Sequence, residues 1–329
     1  MLAVVVNEIN KLSSIEVREI DPPQPESNQV LIESVAAAIN FPDLLQIHGK
    51  YQIVPATPFI PGKEAAGVVT AVGSDVQHIQ LGDRVLVEVD YGAFAEQVTA
   101  IEQRTFLLPD EIEMSAAAAM GLVYQTAYIA LTERASLRAG ESVLVTGASG
   151  GIGLATIQLA KAFGTTVLAA TSDTTKFDAL RLAGADHTID LSMTPLSDGL
   201  RDEVYSVTGG KGVDVVLDVV GGQIFDASLR ALAFGGRIVV LGFTSSEIPN
   251  IKSNYLLLKN IAAVGMTING YFAKRSTIVS AAHVAISDLW HQGKIYPHIH
   301  AEIPLSEFAG AFRMLENREV IGKLVLSLK

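Results

Sequence analysis

The run from Ser142 to Leu154 narrows the choice of folds more than any other part of the chain. An apolar strand, Ser142 to Thr146, breaks at Gly147 and resumes past Gly150 and Gly151 as a helix that carries Ile152 and Gly153 in its first turn. Ala148, Gly150 and Gly153 fall on the three positions of a GxGxxG/A pattern, with alanine in the first. At Gly150 a missing Cβ lets backbone approach a pyrophosphate, and at Gly153 it lets the helix pack closely on the sheet. The helix N-terminus offers N–H groups and a positive dipole end to phosphates. Ser149, Gly150, Gly151 and Ile152 are therefore expected to bind a dinucleotide. The alternative is a tight turn of small residues that holds nothing. The chain beyond the loop favours the first reading: strands are expected over 166–171, 213–220, 237–241 and 261–264, helices over 151–163, 174–183 and 223–233. Short apolar runs between helices belong to a parallel sheet covered on both faces.

The region before about residue 110 has a different texture, with β-rich runs at 29–36, 66–72 and 84–89 separated by Gly, Pro and Asn/Asp turns. Past residue 267 a long helix is expected over 271–292, then a strand at 298–303, a helix at 305–315 and a last strand at 323–328. This tail reads as a return to the first region. With 329 residues, enough for two domains of about 150 each, the expected division is a β-rich domain of residues 1–121 and 267–329 and a nucleotide domain of residues 122–266.

Charge and composition remove several classes of function. Lys and Arg number 24 against 35 Asp and Glu, a net charge of −11, which disfavours nucleic acid and anionic membrane surfaces as partners. There is no cysteine, so disulfides, thiolate nucleophiles and every cysteine-containing zinc or iron–sulfur site are excluded. Redox chemistry then needs a borrowed cofactor. Residues 1–8 read as a first strand rather than a secretory signal, and the most apolar stretch, 116–131, is broken by Gln125 and falls short of the roughly 18 residues that span a bilayer. A cytoplasmic chain is expected.

NAD enzymes place an acidic residue at the end of the second strand to bind the ribose 2′-OH, about 20 residues past the glycines. Here that position is Thr171, followed by Ser172 and Lys176, whose hydroxyl and charge suit a 2′-phosphate. NADPH is the expected cofactor. Asp173 would repel that phosphate unless it turns outward as a helix N-cap.

The chain resembles the zinc-independent quinone oxidoreductase (zeta-crystallin-like) branch of the medium-chain dehydrogenase/reductase superfamily over essentially its whole length. Beside the glycine loop, the markers are Asn40 to Asp43, Gly49 to Tyr51, Pro61 to Gly67, Val72 and Gly73, Gly82 to Val85, Gln125 to Tyr128, Gly184 to Asp186, and Gly322 to Leu326. The resemblance implies an α/β fold: a GroES-like β-rich catalytic domain built from both chain ends, a Rossmann domain with a doubly wound parallel sheet, and a homodimer paired through the Rossmann edge strand near 261–264. The TGxxxGIG and YxxxK patterns of short-chain dehydrogenases also occur, at Thr146 to Gly153 and at Tyr255 and Lys259. They are a decoy, since about 140 residues precede the loop, and Tyr255 and Lys259 are expected on a helix packed against the sheet.

Zinc alcohol dehydrogenases of this superfamily place metal ligands where this chain has Asn40 and Lys63, and an ammonium repels zinc; no metal site is expected, and His298 and His300 read as surface or interface residues. Without a Lewis acid the acceptor must already be electrophilic, a quinone or another α,β-unsaturated carbonyl. By resemblance, Asn40 is the first candidate for polar contact with cofactor or substrate. Tyr51 is either a proton donor or an aromatic pocket wall, with Phe41 and Tyr124 as further walls. Asp43 is expected to orient the Asn40 loop rather than titrate, and Lys63 to bind an anionic tail or to pair with Glu64 or Asp43. Gln125, Thr126, Gly242, Phe243, Thr244, Met266, Thr267 and Arg318 complete the expected cofactor contacts. The alternatives are an enoyl-thioester or 2-alkenal reductase and, in another class, a non-catalytic NADPH-binding protein.

Overall fold

In the computed structural model, which describes residues 1–328, two compact units emerge: residues 1–122 with 297–328, and residues 123–296. The segment 267–296, expected with the β-rich unit, belongs to the other. Its end is tied there by a two-way bond, Tyr296 N to Gln158 Oε1 (2.8 Å) and Gln158 Nε2 to Tyr296 O (2.8 Å), on the helix Gly151–Ala162. The single helix expected over 271–292 is two, Ile268–Lys274 and Ser276–His291, broken at Arg275, whose φ of −148° and ψ of 45° lie outside the helical range.

The second unit is built on six parallel strands in the order His187–Asp190, Thr166–Thr171, Ser142–Thr146, Val213–Asp218, Leu232–Val240, Ala262–Gly265. Counted along the chain this is 3-2-1-4-5-6, the dinucleotide-binding order. The central strands are buried on both faces, Val167 to Thr171 and Val143 to Thr146 without interruption, which is why they read as unbroken apolar runs.

In the first unit a seven-stranded sheet runs Ile299–Pro304, Lys323–Ser327, Gln29–Ile39, Glu64–Val72, Arg84–Glu88, Thr105–Leu107, with Gln97–Ile101 also paired to Gln29–Ile39. The long strand Gln29–Ile39 alternates buried and less buried residues up to Ser34 and is then continuously buried from Ala36. One of its edges takes Gln97–Ile101 opposite residues 29–33 and the last strand, Lys323–Ser327, opposite residues 36–39. Segments from before and after the inserted unit thus share one sheet, while Leu2–Val6 and Ile15–Glu19 pair in a small sheet of their own.

The helix Met114–Ile129 continues through a π turn at Ala130–Arg134, giving an apolar span of 21 residues, longer than the stretch expected from sequence. It is long and apolar enough to cross a bilayer, yet 83% of its apolar window is buried inside the protein, the mark of a core helix.

Candidate active site

The parallel sheet gathers the expected cofactor residues by topology alone. Gly147 to Gly150, Ser172 to Lys176, Gly242 to Thr244, and Met266 with Thr267 each follow the carboxyl end of a strand, and in a parallel sheet those ends share one edge. The loop glycines divide by function. Gly147 has φ +59°, and a Cβ there would lie 2.6 Å from Val219; at Gly153 it would lie 2.5 Å from the carbonyl oxygens of Gly147 and Ala148. The fold itself needs both, and the tight turn sits at Gly147 rather than at Ala148, where the motif put it. Gly150 differs: a Cβ would meet only Gly147 O, at 3.5 Å, an ordinary contact. Nothing inside the protein demands a glycine there, and the opening lies where the first-turn amides of Gly151, Ile152 and Gly153 have no upstream helical partner.

Asp218, at the end of the fourth strand, fixes this edge. It accepts from Thr146 Oγ1 (2.5 Å) and from the amides of Val220 (3.3 Å) and Gly221 (2.9 Å), and burial raises its pKa. The following loops are pinned in turn, Thr244 N to Val219 O (3.0 Å) and Met266 N to Val240 O (3.1 Å). Gln125 is buried, and neither of its amide atoms is bonded among the described residues. An orphaned amide and an unfilled glycine cradle fit a dinucleotide. Thr126 is buried on the same helix. Tyr124, expected to line a pocket, is buried with its hydroxyl donating to Gln158 Oε1 (2.7 Å), and burial raises its pKa; it braces this unit. The decoy motif resolves similarly, because Lys259 Nζ donates to the carbonyls of Arg230 (2.8 Å) and Leu232 (2.5 Å) and closes the end of helix Gly222–Ala231.

The first unit holds a different kind of site. The helix Phe41–Ile47 begins at Asn40, whose N–H donates to Asp43 Oδ2 (2.8 Å), so Asp43 does orient the Asn40 turn. Asn40's side chain, expected to face cofactor or substrate, is turned inward. Its amide donates to Glu64 Oε1 (2.8 Å) and Ala38 O (3.2 Å), and its oxygen accepts from Lys323 Nζ (2.6 Å). Lys323 also donates to Ile39 O (2.9 Å) and Glu64 Oε1 (3.0 Å), while Glu64 Oε2 accepts Leu122 N–H (2.6 Å). Glu64, Lys323 and Asn40 form one buried, saturated lock. Glu88 faces Glu64 across the strand pair with both oxygens unbonded among the described residues; burial first, and then Glu64, hold its pKa well above the usual range.

Lys63 pairs with neither expected carboxylate. It is buried, donates to Asp90 O (2.8 Å) and stands 4.5 Å from the centroid of the Tyr51 ring. Burial lowers its pKa, with Asp43 acting against that shift. Asp43, buried with Oδ1 unbonded among the described residues, is pushed up to about 7 by burial in spite of Lys63, so it titrates near neutrality, contrary to expectation. Phe41 packs, half-buried, against the hydrophobic core. Arg318 lies past the last helix at φ +60°, within the first unit. His298 precedes the strand Ile299–Pro304, and burial lowers its pKa. Sequence reasoning missed Lys323, Glu88 and Asp218 as site-shaping groups; the available signal was a charge at the terminal position of a largely buried strand.

Residues 151–283 match the family described as zinc-binding dehydrogenase, and residues 26–110 the alcohol dehydrogenase GroES-like domain. Zinc does not fit the donors present: Lys63 offers an ammonium, Asn40 is committed to its lock, and the described residues contain no group of three His, Cys, Asp or Glu able to hold a metal. The chain is 36% identical over 316 residues to quinone oxidoreductase-like protein 2 of mouse, covering 96% of this chain and 89% of that one. It is 32% identical over 329 residues to the human synaptic vesicle membrane protein VAT-1 homolog, covering 95% and 82%. Among solved structures, Escherichia coli quinone oxidoreductase complexed with NADPH is 29% identical with a TM-score of 0.91, covering 99% of this chain and all of that one.

Proposed function

The chain belongs to the zinc-independent quinone oxidoreductase branch of the medium-chain dehydrogenase/reductase superfamily and is an oxidoreductase using a nicotinamide cofactor, and from that premise we propose that it transfers hydride from NADPH to a quinone or another α,β-unsaturated carbonyl. One observation carries the reading: a glycine cradle shaped for a dinucleotide stands in the same chain as a catalytic unit whose donors suit no metal. An acceptor reduced without a Lewis acid must be electrophilic on its own.

Ser149 to Ile152 would hold the pyrophosphate, Ser172 and Lys176 the 2′-phosphate, and Gln125, Thr126, Gly242 to Thr244, Met266 and Thr267 the nicotinamide half. When bound, the cofactor supplies the hydride. Lys63 Nζ stands over the face of the Tyr51 ring, 4.5 Å from its centroid, and steadies that ring for a role as proton donor or pocket wall. Asp43, buried and titrating near neutrality, lies within electrostatic reach of Lys63. The Rossmann sheet ends on the free edge of Ala262–Gly265, and Leu257, Leu258 and Ile248 nearby in sequence are exposed, so this edge is the proposed homodimer contact.

The test follows nicotinamide absorbance of the purified protein in the presence of a chelator, with 1,4-benzoquinone, 9,10-phenanthrenequinone, a 2-alkenal and crotonyl-CoA as acceptors. NADPH oxidation by at least one of them is expected. Binding of NADPH without turnover of any acceptor would instead make the chain a non-catalytic nucleotide binder. Loss of crotonyl-CoA reduction in Tyr51→Phe, with quinone turnover spared, would identify an enoyl-thioester reductase with Tyr51 as its proton donor.

A further inference from the structure

Lys63 is a buried cation with little to do for the fold. It is 4% exposed, a degree of burial that lysine almost never shows unless paired, yet its ammonium enters no ion pair among the described residues. Of its three N–H groups one donates to Asp90 O (2.8 Å), and the centroid of the Tyr51 ring lies 4.5 Å away. That carbonyl is already served. Gln46 Nε2 donates to Asp90 O (2.9 Å) and to Ile53 O (3.0 Å), which ties down the segment carrying Tyr51 without the lysine. The nearby carboxylates are engaged elsewhere: Asp90 Oδ1 accepts from Arg104 (2.9 Å), and Asp43 Oδ2 from Asn40 N–H (2.8 Å). Burial disfavours the charge on Lys63, and Asp43 and then Asp90 oppose that effect through space. Its backbone is held firmly, since Lys63 O accepts Val89 N–H (2.8 Å) and the next residue, Glu64, belongs to the lock.

We propose that Lys63 is a catalytic residue for carbonyl reduction, its remaining N–H binding the carbonyl oxygen of the acceptor and stabilising the negative charge that hydride addition creates there. The inference rests on the reading of the chain as a reductase of conjugated carbonyls. Zinc does not fit these donors, and a fixed positive charge of another kind stands among them. With a 2-alkenal, hydride from the reduced nicotinamide adds to the β-carbon, the C=C pair shifts to join the α-carbon to the carbonyl carbon, and the C=O pair moves onto oxygen, where Lys63 donates. A proton from water then adds at the α-carbon and the C=O bond re-forms, leaving a saturated aldehyde and the oxidised nicotinamide. A quinone needs this help less, because the oxyanion formed from it is a much weaker base. Lys63 thus extends the acceptor range toward enals and enoyl thioesters.

The experiment uses the full-length protein and two readouts. In the first, without cofactor, 4-nitrophenol is titrated as a probe whose oxygen carries charge as an enolate oxygen does. The wild-type chain is expected to bind it preferentially as the phenolate, seen by absorbance, and Lys63→Met to bind that anion roughly tenfold more weakly. In the second, NADPH oxidation is followed. Lys63→Met should lower kcat for a 2-alkenal about 100-fold or more and for 1,4-benzoquinone about tenfold or less, with the Kd for NADPH unchanged. Lys63→Gln, which keeps an N–H for Asp90 O and loses only the charge, should behave alike. Removing an unpaired buried charge should leave the thermal midpoint unchanged or raised. Equal alkenal kcat in the wild type and both variants overturns the proposal. So does a wild-type chain that binds 4-nitrophenol no better as the anion than as the neutral phenol, a measurement that needs no variant. Equal losses on alkenal and quinone would make Lys63 a structural brace and overturn it too. If the wild-type chain turns over no acceptor at all, the reductase reading itself falls, before any variant is compared, and takes this proposal with it.

Discussion

The two units keep their polar groups in opposite states. In the first, Asn40, Glu64 and Lys323 are buried and bonded to one another until little capacity is left. At the carboxyl edge of the parallel sheet, the glycine loop leaves backbone amides and the space above Gly150 open. The difference separates two costs. A saturated buried lock registers mutation as lost stability, because its members depend on each other. An open backbone edge registers mutation as lost binding, because the missing partner is a ligand.

The largest effect expected from this contrast is at Lys323. Lys323→Met leaves Glu64 buried without its partner, which should cost about 3–5 kcal/mol in urea unfolding. A loss below about 1 kcal/mol would mean that the lock is relaxed in solution. Within the glycine loop the contrast can be drawn three residues apart. Gly153→Ala pushes a Cβ to 2.5 Å from two carbonyl oxygens and should cost about 1–3 kcal/mol. Gly150→Ala should stay within about 0.5 kcal/mol of wild type while weakening NADPH about tenfold or more. Equal binding by wild type and Gly150→Ala would break the distinction.

The smallest effect concerns pH. Asp43 has its pKa raised from 3.8 to about 7 in the folded chain, so the folded state holds a proton that the unfolded state releases. Its contribution to stability is full below about pH 4, declines as pH rises and is gone once pH passes about 7. Asp43→Asn should flatten the pH dependence of the urea midpoint between pH 4 and 8 by up to about one proton. Parallel profiles for the two proteins would show that Asp43 is ionised throughout.

Much of the nucleotide unit was legible because its signals are local: apolar runs, glycines and helix starts recur at short range. The edge strand His187–Asp190 escaped notice because it is four residues long and mostly polar, and the break at Arg275 because neither Gly nor Pro marks it. The β-rich unit was legible as texture and as return of the tail, but its polar lock was not. Lys63 and Glu64 are neighbours in sequence, which suggested an ion pair; entering an extended strand, adjacent side chains point to opposite faces, and the charges part. Asn40 was singled out correctly as an unusual polar residue at a strand end, yet its partners come from Glu64 and Lys323, and no periodicity reports contacts at that range.

The pairing of Lys323–Ser327 with Gln29–Ile39 also dictates an order of events during synthesis. Glu64 leaves the ribosome 259 residues before the lysine that neutralises it. All the strands of the parallel sheet have been made by then, so the inserted unit has its full complement of strands while its host still lacks its last. The nascent β-rich unit must wait with an unmatched acid at its centre until the last strand arrives, and a ribosome stalled shortly before Lys323 would display a finished parallel-sheet unit attached to an unfinished β-rich one.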